Sequence, residues 1–104
     1  MYKRQARAVF TNIHELNTRR FLGDIAAIDS LLDLEAAIHQ AKLTNQQKTA
    51  LKLVFIEGHT HESAAALLGA ERSSITKSVT RALAKIEDIY EYWHHIEGTE
   101  AQAA

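Results

Sequence analysis

Residues 59–86 read HTHESAAALLGAERSSITKSVTRALAKI, and the punctuation of this stretch decides the fold. Thr60 stands where a hydroxyl caps a helix from His61 to about Leu68, and Glu62 complements the dipole of its first turn. Gly69 closes that helix after about two turns, because it tolerates the positive φ that a tight turn needs. A second helix starts near Glu71 and meets no breaker before Gly98. A short helix, a glycine turn and a longer helix make the pattern of a helix-turn-helix. Ala65 is small where the two helices cross, Gly69 follows four residues on, and Ile75 returns the second helix to the core six residues later. Leu68 and Ala70 are expected to anchor the turn on either side. This spacing alone occurs in many helical hairpins; the cap before it and the basic helix after it make it specific.

The second helix can be read by phase. Ile75, Val79, Ala82 or Leu83, Ile86, Tyr90 and Trp93 recur three and four apart and define a buried stripe. At about 100° per residue the opposite side carries Ser73, Lys77, Thr80 and Arg81, flanked by Arg72, Ser74 and Thr76. From Arg72 to Lys85 the charges are Arg72, Lys77, Arg81 and Lys85, with no acid among them. Short hydroxyls let a backbone approach the floor of a DNA groove, and Ser or Thr exchange hydrogen bonds with base edges. Arg72 and Lys77 are placed for bases or phosphates, while Arg81 and Lys85 are expected beside phosphates. Lys48, Thr60 and His61 lie at the starts of the preceding helices, as does Thr44, where backbone N–H groups can hold a phosphate. Taken singly, each cation is also what a solvated helix face carries. The cluster as a unit points to duplex DNA.

Upstream, Thr44 and Gln47 form the pattern of a capping box, Leu51, Val54 and Phe55 point inward, and Gly58 ends that helix. Before it, a helix from Arg19 or Gly23 to Lys42 presents Phe21, Ile25, Ile28, Leu31 or Leu32, and Ile38 along one apolar face. That face covers the core or meets a partner. Val9, Ile13 and Leu16 suggest a first helix over residues 3–16, broken at Asn17 and Thr18, although its basic character also suits a disordered arm. The expected organisation is residues 1–42 as a basic segment and packing helix, 43–97 as the helix-turn-helix with an extended helix, and 98–104 as a disordered tail.

Composition bounds the rest. The chain has 104 residues, 0 prolines, 4 glycines and 0 cysteines, so one all-α helical bundle fits and disulfides or zinc ribbons do not. MYKRQARAVF is too polar for a signal peptide, and no apolar run approaches the ~20 residues of a membrane span, so a cytoplasmic protein is expected. Formal net charge is -1, but its distribution is uneven: residues 3–20 and 72–85 are basic, while Asp24, Asp29, Asp33 and Glu35 form an acidic block. His59 and His61, and adjacent His94 and His95, lack the spacing of a helical metal site. No nucleophile or phosphate-loop motif is present, so no enzyme, cofactor or metal is expected.

A family resemblance rests on the same residues. Leu43, Leu51, Leu53 and Phe55, then Gly58-His59-Thr60-His61-Glu62, then Leu68-Gly69, Arg72-Ser73-Ser74-Ile75 and Arg81-Ala82-Leu83-Ala84-Lys85-Ile86, resemble region 4 of bacterial sigma factors and sigma-like regulators. The resemblance covers residues 43–86. It implies a domain that binds the upstream promoter element in the major groove and contacts RNA polymerase. Ala64 stands where the family has a bulky aliphatic, so the core there is expected to be lighter or to be filled by another helix. Nothing in residues 1–42 resembles the promoter-melting region, and a short regulator of the kind phages and mobile elements encode is the expectation. The alternatives are a DNA-recognition subunit like the small terminase of phages, and a protein-interaction module that does not bind DNA. Leu83, Ile86, Tyr90 and Trp93 also have coiled-coil spacing, so a homodimer through the C-terminal helix is a further expectation beside packing within one chain.

Overall fold

A computed structural model describes the backbone of residues 5–103 and the side chains of residues 6–96. Among them the chain forms α1 (Gln5–Thr11), α2 (Ile13–Phe21), α3 (Ile25–Ala41), α4 (Asn45–Leu51), a π-helical turn (Lys52–Ile56), α5 (His61–Leu68) and α6 (Arg72–Ala103). No strand occurs among these residues. The all-α class and the long C-terminal helix follow the periodicity of the sequence.

From Leu43 onward the caps set the boundaries. Thr44 Oγ1 accepts the Gln47 N–H at 3.1 Å while Gln47 Oε1 accepts the Thr44 N–H at 3.0 Å, closing the capping box. Thr60 Oγ1 accepts the Ser63 N–H at 3.0 Å and starts α5. Gly69 turns the chain between α5 and α6 at φ 63°, in the left-handed region that a side chain disfavours.

Upstream of Leu43 the structure departs from expectation. The first helix breaks at Asn12 rather than at Asn17, and α2 continues to Phe21. Thr11 Oγ1 donates to Arg7 O at 2.8 Å and Asn12 Nδ2 donates to Ala8 O at 2.9 Å, so local side-chain bonds compete with the helical ladder at that point. From Gln5 onward this segment is helical and docked, not an arm. Ala6, Phe10 and Ile13 are buried, and the Phe10 ring packs on Phe55 with centroids 5.2 Å apart.

Asp24 caps α3, with its carboxylate accepting the Ala27 N–H at 3.2 Å. The buried face of α3 is Ala27, Leu31, Leu34 and Ala37. Phe21 and Ile25, expected to lead that face, are 90% and 74% exposed. Because α3 is apolar on two sides, periodicity alone does not choose its phase. Small Ala27 and Ala37 let neighbouring helices sit close on the side that wins.

Helix α6 is the axis of the bundle and packs against α1, α3, α4 and α5. Ile75 and Ile86 are fully buried, with Val79, Ala82, Leu83 and Tyr90 beside them. Ala64 and Ala65 bring α5 against this row, and Ala64 is itself fully buried. Leu68 is 39% exposed and does not anchor the turn, since the two alanines already fill the inner side of so short a helix. Trp93 Nε1 donates to Gln40 Oε1 on α3 at 3.3 Å, and the Trp93 ring meets Tyr90 edge-on at 5.5 Å. A coiled-coil dimer through Leu83, Ile86 and Tyr90 is therefore not available: they are 3%, 0% and 5% exposed, consumed by packing within one chain. The backbone of α6 runs helical through Gly98 to Ala103, past the end expected at Gly98.

Candidate nucleic-acid interface

The turn at Gly69 and the caps upstream aim the first half of α6 outward. With Ile75, Val79 and Ala82 locked into the core, Arg72, Ser73, Lys77, Thr80 and Arg81 are all exposed, and Ser74 is half-buried. Among the described residues none of Arg72, Lys77 and Arg81 takes part in an ion pair. Unpaired cations on a rigid helix remain free to meet an anion without first breaking a protein contact.

Lys77 and Arg81 share a hollow of about 270 Å³ with Ser74, Ser78, Thr44 and Gln46. Its walls are the exposed face of α6 and the start of α4, and every wall residue is polar. Gln46 and Ser78 escaped the sequence reading, because their closeness depends on how α4 crosses α6 and has no local signal. Arg72 borders a second hollow with Thr60, His61 and Glu62, where the Glu62 carboxylate tempers the positive field.

Four of the expected contact residues stand differently from expectation. Lys85 is half-buried, and its Nζ donates to Gln47 Oε1 at 3.0 Å, so it braces α6 against the capping box of α4. Lys48 lies on another side of α4, lining a groove with Arg20, Glu35 and Lys52 rather than the hollow beside Lys77. His61 Nδ1 is 2.8 Å from Thr76 Oγ1, which also donates to Arg72 O at 3.2 Å. That pair ties the start of α5 to the first turns of α6 and sets the angle at which α6 is presented. His59 is likewise engaged, with Nδ1 3.0 Å from Ser63 Oγ.

Among the described residues no group of three His, Asp or Glu side chains gathers to hold a metal ion, and no described helix is long and apolar enough to cross a membrane.

Residues 34–86, just over half of the chain, match the model of a family described as sigma-70, region 4. The match runs from the middle of α3 to Ile86, so it takes in α4, the π turn, α5 and the presented half of α6. No curated protein and no solved structure matches the chain.

Proposed function

The chain belongs to the sigma-70 region 4 family, and from that premise we propose that it regulates transcription by binding specific duplex DNA through the first half of α6. The observation that carries this reading is the exposure of Lys77 and Arg81 side by side on α6, unpaired, over a polar hollow. In this reading Ser73, Ser74 and Thr80 meet base edges in the major groove, with Lys77 and Arg72 reaching bases or phosphates. Arg81 neutralises a phosphate at the groove wall. His61, Thr76 and Lys85 act through other residues by holding the angle of α6. Thr60 acts in the same way, as the cap of α5.

Family membership makes RNA polymerase the second partner in this proposal. A net charge of -1 suits it, since few phosphates are neutralised and a protein partner on the promoter adds to the affinity.

The test is selection of bound fragments from the source genome, followed by mobility shifts of an enriched fragment across salt. An enriched motif is expected, with the shift lost in K77A/R81A while the helical circular dichroism is retained. Binding without sequence preference, or binding that the double variant leaves unchanged, defeats the proposal.

A further inference from the structure

The upstream helices carry two apolar features that the DNA-binding reading does not use. One is a knob: Phe21, Leu22 and Ile25, at the α2–α3 turn, are 90%, 78% and 74% exposed. Leu32, two turns further along α3 from Ile25, is 53% exposed and extends the same surface. Together these four side chains expose roughly 500 Å² of apolar area, at the upper end of what a monomer's largest patch shows. The other is a hole: a groove of about 380 Å³ between α2, α3 and α4, floored by Phe10, Ile13, Leu31, Leu34 and Leu51.

The charges around them are opposite in sign. Lys48 and Lys52 stand on the rim of the groove, in no ion pair among the described residues. Arg20, also on the rim, already faces Glu35 at 3.4 Å. The knob is flanked by Asp24 and Asp29, both exposed and neither in an ion pair. A knob with acids beside it thus matches a groove with free cations on its edge.

We propose that the occupant of the groove is a second copy of this chain, with the Phe21–Leu22 knob of each copy seated in the groove of the other. Arg20 borders the groove and Phe21 follows it in sequence, so knob and groove adjoin on one side of the molecule. A two-fold axis between them closes the assembly, as an isologous interface requires. The knobs of both copies bring about 1,000 Å² from four side chains each, close to the minimum for a specific interface, and the groove walls add to it. It also accounts for α3, whose second apolar side is otherwise left to water.

Sedimentation velocity on the full chain from low to high micromolar concentration tests this. The wild type is expected to pass from monomer to dimer. F21D/L22D is expected to stay monomeric with unchanged helicity, since neither side chain is part of the core. K48E/K52E is expected to raise the dissociation constant about tenfold, and adding D29K is expected to recover part of that loss. A wild type that remains monomeric at high micromolar concentration overturns the proposal and leaves the groove to a different protein. A dimer that F21D/L22D does not disturb overturns it as well.

Discussion

Lys85 Nζ and Gln47 Oε1 lie 3.0 Å apart, and the same oxygen accepts the Thr44 N–H that closes the capping box of α4. One amide thus joins a helix start to the middle of α6, 38 residues away in sequence. Lys85→Met keeps the aliphatic stem and removes this bond. The expected cost is about 1 kcal/mol of stability in urea denaturation, since Gln47 retains its backbone partner. The salt dependence of DNA binding is expected to be that of the wild type.

Lys77 and Arg81 are expected to behave in the opposite way. Neither supports the fold, so Lys77→Ala and Arg81→Ala should leave the thermal midpoint in place. Each should lower the slope of log affinity against log salt by about 1 if it releases one counterion. Fluorescence anisotropy at several salt concentrations reads both slopes. A wild-type slope in Lys77→Ala would remove that residue from the interface.

Gly69 isolates a backbone effect. An added Cβ would meet nothing within 4 Å, yet φ is 63°. Gly69→Ala should therefore destabilise the chain by about 1–2 kcal/mol through conformation alone. Gly69→Asn should cost less, because asparagine visits this region more readily. Denaturant midpoints of the two variants give the comparison.

Tyr90 predicts an alkaline signature. Its hydroxyl is buried without a hydrogen-bond partner among the described residues. Burial, and then the Asp33 carboxylate, push its pKa up from 10.0 to about 12. The unfolded chain therefore gives up this proton before the folded one does. The stabilisation is complete below pH 10 and is lost as pH rises from 10 through 12. Tyr90→Phe should match or exceed the wild-type stability at pH 7, because an unsatisfied polar atom is removed. Its melting temperature should also fall less between pH 9 and 12. Parallel curves for the two proteins across that range would refute this account.

The readable part of the molecule is the part governed by neighbours in sequence. Thr44 with Gln47, Thr60, and Gly69 each act within one helical turn, and their signals survive into the structure unchanged. The stripe from Ile75 to Tyr90 was legible because its other face is polar, which leaves one phase for burial. Helix α3 offered no such contrast. Its alanines pack as well as its isoleucines: Leu31 and Ile38 do face the core, but Ala27 and Ala37 complete that face while Phe21 and Ile25 stay on the surface. The break at Asn12 was hidden for a related reason: residues 11 and 12 are ordinary within a helix until their side chains bond backward to Arg7 and Ala8.

By itself, then, the sequence determined an all-α chain, a glycine turn between α5 and α6, and an outward face bearing Arg72, Ser73, Lys77, Thr80 and Arg81. Those outcomes depend on φ preference, caps and a period of about 3.6 residues, all of which act locally. Only the tertiary structure decided which of the candidate contact residues share the open face of Lys77 and Arg81. Lys85 is held by Gln47, Lys48 lines a groove away from Lys77, and His61 is bonded to Thr76. It also decided that Leu83, Ile86 and Tyr90 are buried within one chain rather than between two, while Phe21, Leu22 and Ile25 are surface. Both sets are apolar at helical spacing, so only the competition among helices for one small core could separate them.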